Sequence, residues 1–260
     1  MFQHLAVLLR AYNNNPGIIK SVYRAVKNGA GLVIVVVNAS DESTRGNVRT
    51  WLEPTMSKHP GVVTIIEMNN GYSWSNALNV GFAHVRMHNR VAKVHGQDTI
   101  DYVVPTSVEV LWESEHLQAM LDTASQSREI GVVGTSFHGQ HNGNEIDLGA
   151  SYVHPRNTFM LISMEAFAAV GLFDAVCDGL GGMEDFHFLL SLILTGDFRW
   201  EMLDKKIKLV VGVNYDQSVK EIRERAAMRK IATWFDTVVA DNPQMHQQLS
   251  EVYKTFNINI

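Results

Sequence analysis

Residues 31–38, GLVIVVVN, decide the fold class of this chain. The run from 32 to 37 is apolar throughout and mostly β-branched, so no alternation separates a wet face from a dry face. A strand of this kind is buried on both faces, which is typical of a parallel sheet with helices on either side. The sequence therefore predicts an α/β protein.

Similar runs alternate with helical patterns on both sides of that strand. LAVLLRA (5–11), GVVTIIEM (61–68) and DYVVPTSVEVL (101–111) each predict a further strand. Apolar residues at helical spacing lie between the strands, within 16–29, 44–56 and 73–86. This order predicts right-handed crossovers and a mostly parallel sheet, in which ligands bind at the carboxyl ends of the strands.

The second half is less regular. Its patterns predict helices over 113–124 and 185–196, strands over 130–137, 157–163 and 206–213, a loop or hairpin over 138–149, and helices from 214 onward.

Composition and charge exclude several classes of protein. The chain has 260 residues, a formal net charge of −5 and no strongly basic segment, which argues against a dedicated duplex-DNA binder. Its single cysteine, Cys177, rules out an intramolecular disulfide framework. No run approaches the roughly 18 apolar residues of a spanning helix, and the N-terminus lacks the apolar core of a signal peptide. We expect a cytoplasmic protein without an integral membrane segment.

Five blocks in order carry a family resemblance: LLRAYNN, IVVVNASDEST, ALNVGFAHV, FMLISMEAFAAVGLFDA and GLGGMEDFHFLLSL. Their succession resembles the inverting nucleotide-sugar glycosyltransferases of the GT-A fold (the family-two type). The resemblance implies a three-layer α/β/α GT-A domain over 1–213, with a nucleotide-binding half (1–100) and an acceptor half (101–213). Residues 214–260 would form a C-terminal helical extension, through which the chain could form a homo-oligomer.

The implied reaction is a single in-line displacement. An acceptor hydroxyl attacks the anomeric carbon of a nucleoside-diphosphate sugar, and the nucleoside diphosphate leaves from the opposite face. A carboxylate must take the hydroxyl proton, and something cationic must hold the charge that develops on the diphosphate.

By resemblance, Asp185 is the catalytic base and Glu184 its neighbour, while His187 and Gly182 belong to the acceptor site. A structural alternative exists, because two carboxylates in the first turn of a helix are also favoured by the helix dipole. The resemblance assigns the nucleotide site to these residues: Ala11, Tyr12, Asn13, Asn38, Asp41, Asn79 and Ser107. Asn79 has an alternative role in packing, and Asp41 and Asn13 have alternatives as turn residues.

The metal motif departs from the family. Pro105 and Ser107 stand where the two acidic residues of an Asp-x-Asp motif would fall, and Glu109 is the one carboxylate that could replace them as a ligand for Mn²⁺ or Mg²⁺. Either the enzyme is metal-independent, with a side-chain cation on the diphosphate, or the chain keeps the fold as a sugar- or nucleotide-binding or scaffold protein. The candidate cations are Arg10, Arg156 and Lys20. A nucleotidyltransferase is a third reading, but AYNNNP replaces the glycine-rich, basic loop that it would need after the first strand.

Overall fold

The computed structural model describes residues 2–11, 16–38, 42–68, 74–141, 144–146, 158–173 and 184–210, together with residue 233. Within them the strands are β1 (Leu5–Ala11), β2 (Leu32–Val37), β3 (Val63–Glu67), β4 (Tyr102–Thr106), β5 (Val110–Leu111), β6 (Ile130–His141), β7 (Asn144–Ile146), β8 (Met160–Ser163) and β9 (Arg199–Val210). The helices are α1 (Gly17–Lys27), α2 (Glu42–Lys58), α3 (Trp74–Val94), α4 (Ser114–Ala124), α5 (Met164–Val170) and α6 (Glu184–Leu194). The predicted C-terminal extension, 214–260, lies outside the described residues apart from residue 233.

The strands form one 9-stranded sheet in the order β3-β2-β1-β4-β8-β6-β9-β5, with β7 paired to β6. Pairing is parallel from β3 to β4 and between β6 and β9, and it is antiparallel on both sides of β8. Strands β1, β2, β3, β4, β6 and β9 therefore run in one direction, and β5, β7 and β8 run in the other. The predicted α/β fold with a mostly parallel sheet is confirmed.

Helices cover both faces of the sheet. Odd positions of β1 pack with α1, α2 and α4 in one core, and Ala6 and Leu8 pack with α3, α5 and α6 in another. Every residue of β2 is buried, as the run without alternation predicts. The face that carries α3, α5 and α6 is called the inner-site face below, because the candidate site lies on it.

The fourth predicted strand is in fact two. The apolar pattern predicts one strand over residues 101–111. In the structure the chain turns after Thr106, and the Val110 amide donates a hydrogen bond to the Ser107 carbonyl at 3.3 Å. β4 pairs with β1, whereas β5 pairs with β9 at the far edge of the sheet. A continuous apolar pattern cannot reveal this break, because both pieces are buried by different neighbours.

Two other elements are longer than their patterns indicate. α3 continues to Val94, beyond the predicted end at 86, and β9 begins at Arg199 rather than 206. β9 pairs with β6 through register shifts, which interrupt the regular alternation on which the prediction rests.

Gly31 lies where the chain enters β2 against the N-terminal segment. Its amide donates to the carbonyls of Phe2 and Leu5, each at 3.0 Å. A Cβ atom at Gly31 would overlap the backbone carbonyl oxygen of Gln3. Backbone atoms cannot rotate away as a side chain can, so this position requires glycine for space.

We predict that Gly31→Ala lowers the free energy of unfolding by about 2 kcal/mol. The matched control is Gly46→Ala in the middle of α2, where an added Cβ meets nothing within 4 Å. The control should raise the free energy of unfolding by about 0.5–1 kcal/mol, because alanine favours the helix. Urea denaturation of both variants measures the difference, and equal stability of the two would contradict the close approach at Gly31.

Candidate functional site

The site is placed by a reversal in strand order. The chain builds β1, β2 and β3 outward in one direction and then returns to place β4 on the other side of β1. In parallel sheets this arrangement opens a crevice at the carboxyl ends of the two central strands. The crevice here lies between the ends of β1 and β4.

Three of the predicted nucleotide-site residues meet at this edge. The Asn38 amide donates to the Ala11 carbonyl at 3.0 Å, which extends the ladder between β1 and β2 by one residue. Leu9 is level with Thr106, so Ser107 follows β4 at the height of the last residues of β1. Ala11, Asn38 and Ser107 therefore lie at the tips of three adjacent strands.

Alternation selects the face on which the side chains emerge. Ala6 and Leu8, Ile34 and Val36, and Val103 all belong to the core of the inner-site face. Because strand side chains alternate, Arg10, Asn38 and Ser107 are directed to this same face. Ala11 belongs to the opposite core, so its contribution to the crevice is its backbone.

A cation and an aromatic ring meet at the same edge. The Arg10 guanidinium lies 5.5 Å from the centroid of the Trp74 ring, a cation–π distance. Trp74 is the first residue of α3, which follows β3, and Arg10 is the penultimate residue of β1. The interaction fixes a positive charge beside the crevice.

The first turn of α6 buries three ionisable side chains. Glu184 is 6% exposed, Asp185 1% and His187 5%. The Asp185 carboxylate accepts a hydrogen bond from the Phe186 amide at 2.8 Å, and Glu184, Asp185 and His187 each take part in further interactions. Two carboxylates withdrawn from water need hydrogen-bonding or charged partners, and the helix dipole at the start of α6 adds to their stabilisation.

The carboxylates lie toward the carboxyl edge of the sheet. After α6, residues 195–198 turn directly into β9, whose first residue Arg199 pairs with Ile130 at the amino edge. The end of α6 is therefore at the amino edge. The eleven-residue helix is about 16 Å long, close to the length of a central strand, so its start lies near the opposite edge.

Phe173 connects α6 to α3. Phe188, one turn into α6, stacks on Phe173 with ring centroids 4.5 Å apart. The backbone of Phe173 in turn exchanges two hydrogen bonds, of 2.8 and 2.9 Å, with the amide side chain of Asn79, about one turn into α3. α6 is thus linked to α3 through Phe173, and both helices pack on the inner-site face.

The Asn79 side chain is occupied by this structural role. Its amide nitrogen donates to the Phe173 carbonyl, and its oxygen accepts from the Phe173 amide. Nucleotide binding through the same atoms would require both bonds to break. The geometry thus favours the packing alternative for Asn79, and it adds the aromatic cluster of Phe82, Phe167, Phe173 and Phe188, which the sequence analysis did not identify.

The other predicted residues are distributed as follows. Glu109 is partly exposed in the turn between β4 and β5. Tyr12, Asn13, Asp41, Gly182 and the candidate cation Arg156 lie outside the described residues. Lys20 is exposed on α1, which covers the opposite face of the sheet from Arg10. Arg10 is therefore the one candidate cation that the described structure places at the crevice.

The donor set at the end of β4 does not suit a resident divalent ion. Pro105 offers no side-chain ligand, Ser107 offers a neutral hydroxyl, and Glu109 is the only carboxylate of the segment. Mg²⁺ and Mn²⁺ prefer several carboxylate oxygens. Across the ranges that the structure describes, no three His, Cys, Asp or Glu side chains come together to hold a metal.

Comparison with known proteins identifies the fold. No known family model matches the sequence, and no curated protein matches it either. Among solved structures, a mannosyltransferase from Pyrobaculum calidifontis, in complex with GDP-Man and Mn²⁺, is similar at a TM-score of 0.59 and 15% identity, over 97% of this chain and 80% of that one. GalNAc-T7 with UDP, GalNAc and Mn²⁺ is similar at a TM-score of 0.62 and 10% identity, over 97% of this chain and 55% of the other.

A mycobacterial protein is also similar, at a TM-score of 0.54 and 10% identity, over 88% of this chain and 74% of that one. At these identities the likeness establishes a shared fold. The chain has the GT-A fold of nucleotide-sugar glycosyltransferases, as the five sequence blocks predict.

We predict that Asn79→Ala lowers the free energy of unfolding by about 2 kcal/mol, because it leaves two part-buried backbone groups of Phe173 without their partners. The control is Gln118→Ala on α4, whose amide bonds the exposed Asp122 side chain at 2.7 Å. That change should alter stability by less than about 0.5 kcal/mol. Thermal or urea unfolding compares the two; unchanged stability of Asn79→Ala with lost nucleotide binding would instead support a role at the donor site.

Proposed function

We propose that this protein transfers a sugar from a nucleoside-diphosphate donor to an acceptor hydroxyl, with inversion. The observation that supports the proposal is a pair of buried carboxylates on the same face of the sheet as Arg10. Buried carboxylates begin α6, and Arg10, Asn38 and Ser107 line the crevice beyond β1, β2 and β4. These are the two groups that the displacement needs, a proton acceptor and an anion-binding wall.

In the proposed reaction the acceptor oxygen forms a bond to the anomeric carbon as the bond from that carbon to the diphosphate oxygen breaks. The acceptor proton passes to the Asp185 carboxylate, and the electron pair leaves with the nucleoside diphosphate. Asp185 is the base because the resemblance matches it to that position, and Glu184 is the adjacent carboxylate. Since Asp185 is 1% exposed, the acceptor must displace the atoms that cover it before the proton can be transferred.

Arg10 is the proposed counter-charge for the leaving diphosphate. A guanidinium can donate two parallel hydrogen bonds to phosphate oxygens, which makes it better suited than lysine for this task. Its stacking on Trp74 restricts the side chain before the donor binds. Asn38 and Ser107 supply neutral polar groups beside it, in the places where the resemblance puts ribose and diphosphate contacts.

The comparisons support the class of donor and leave its identity open. One similar structure contains GDP-Man and the other contains UDP and GalNAc, so the fold accommodates different bases and sugars. Both also contain Mn²⁺, whereas the described donor set of this chain does not suit such an ion. We therefore propose a transfer that does not depend on a divalent metal.

A second candidate function, from another class, uses the same site without catalysing a reaction. The observation that favours it is the replacement of the acidic pair by Pro105 and Ser107, which would also occur in a protein that only binds a sugar or a nucleotide, or serves as a scaffold. The two proposals differ in turnover. A nucleotide-binding protein would bind the nucleotide without turnover, and a sugar-binding or scaffold protein would show neither, so the following experiment separates them from the transferase.

We predict that Asp185→Asn lowers kcat for sugar transfer by a factor of about 100 or more, because the amide cannot accept the hydroxyl proton. Nucleotide binding, measured by thermal shift with UDP, GDP and dTDP, should change less than twofold. The control is Asp197→Asn, an exposed residue beyond the other end of α6. Full turnover by Asp185→Asn would exclude this base, and nucleotide binding without any turnover by the wild type would favour the binding protein.

We predict that Arg10→Gln weakens binding of the nucleoside diphosphate about 10- to 100-fold while leaving the affinity for the nucleoside unchanged, because the proposed hydrogen bonds of the guanidinium go to the phosphates and not to the nucleoside. The control Lys20→Gln, on the opposite face of the sheet, should leave the affinities for the nucleoside diphosphate and for the nucleoside unchanged. Titration calorimetry measures the affinities of the wild type and both variants for the nucleoside diphosphate and for the nucleoside. The wild type should retain nucleotide binding and turnover in EDTA. Loss of turnover in EDTA with recovery on adding Mn²⁺ would refute the metal-independent mechanism.

A further inference from the structure

The outer surface of α3 exposes an apolar stripe. Met87 is 57% exposed, Val91 52% and Val94 82%, at the i, i+4 and i+7 spacing that aligns side chains along one side of a helix. Large aliphatic side chains in a row on the solvent side of a well-packed helix indicate a contact surface.

Basic residues flank the stripe. Arg86, Arg90 and Lys93 are exposed along one side of it, and His84 and His88 lie on the other side. Burial and the neighbouring His88 lower the pKa of His84, so the cationic charge at neutral pH comes mainly from the arginines and the lysine. No acidic residue occurs from position 74 to 97, although the whole chain carries a net charge of −5.

The helix itself is firmly held. Phe82, Val85 and Ala92 of α3 are buried in the core, and Gly81 allows the helix to approach β1 so closely that a Cβ there would overlap the Leu8 side chain. The exposed stripe is thus one side of a fixed helix. We call Arg86, Met87, Arg90, Val91, Lys93 and Val94 the outer face of α3.

We propose that the outer face of α3 docks the protein on an anionic lipid surface. The cations attract acidic headgroups, and the aliphatic stripe beside them enters the boundary between headgroups and acyl chains, as in helices that lie in the membrane plane. No helix in the described ranges is long and apolar enough to cross a bilayer, and this contact needs none.

Charge complementarity favours a lipid surface over a second copy of this chain. A two-fold contact between two outer faces would place Arg86, Arg90 and Lys93 against their own copies, with no acidic residue of α3 to compensate. A nucleic acid would satisfy the cations but leave the valines and the methionine in contact with phosphates and water. Anionic lipid suits both parts of the outer face of α3, because acyl chains accommodate the aliphatic side chains and acidic headgroups attract the basic ones.

The experiment is co-sedimentation of the full chain with sucrose-loaded vesicles of 70% phosphatidylcholine and 30% phosphatidylserine, and with pure phosphatidylcholine vesicles. The wild type should bind the anionic vesicles, and 0.5 M NaCl should weaken that binding. Arg86→Gln/Arg90→Gln should lower the partition coefficient about 25-fold, at about fivefold per charge. Val91→Ser/Val94→Ser should lower it about tenfold.

Two controls match these variants. Lys27→Gln/Lys58→Gln removes the same charge from exposed positions on α1 and α2, which cover the other face of the sheet, and Tyr23→Ser removes an exposed apolar side chain of α1. Both should bind vesicles as the wild type does. Circular dichroism confirms that each variant is folded, and nucleotide binding by the variants reports the transfer site separately, so the two proposals can fail independently.

Three results would overturn the proposal. The first is equal binding of the wild type to both kinds of vesicle. The second is a loss of binding in the control variants as large as in the α3 variants, which would indicate attraction by overall charge. The third is a dimer in sedimentation velocity that dissociates in Val91→Ser/Val94→Ser, or binding to a DNA duplex in place of vesicles, because either would assign the outer face of α3 to another partner.

Discussion

Burial of β1 on both faces and along both edges is the constraint on which the rest of the structure depends. Every backbone group of this strand must be paired, and it is paired through the parallel ladders to β2 and β4. Because the chain winds outward to β3 before it returns to β4, the loops that follow the two central strands diverge. The crevice at the carboxyl edge is thus a consequence of completing the hydrogen bonds of one buried strand.

Aromatic packing then sets the position of the carboxylates. Phe82 of α3 stacks on Phe167 of α5 at 3.9 Å, and Phe173 stacks on Phe188 of α6 at 4.5 Å. These rings join α5 and α6 to α3, which lies about 70 residues earlier in the chain, and two hydrogen bonds between Asn79 and Phe173 reinforce the contact. The first turn of α6 is therefore held in place by aromatic contacts one turn further along the helix.

Whether the sequence predicts a feature of this arrangement depends on how far apart in the chain the contacting residues lie. The strands β1, β2 and β3 and the helices between them are confirmed, because their signals are local patterns of apolar residues. The break between β4 and β5 was missed, since it depends on β9, which the chain reaches only after residue 198. The burial of Glu184 and Asp185 and the pairing of Arg10 with Trp74 depend on contacts between distant segments, which no pattern within one segment reveals.

One helix links the two surfaces that this structure presents. The first residue of α3 holds Arg10 at the crevice, and its second half carries the outer face that we assign to lipid. α3 runs from the carboxyl edge toward the amino edge along the inner-site face, so a surface in contact with residues 86–94 meets the sheet away from the crevice. The strand tips would stay open to a donor from solution.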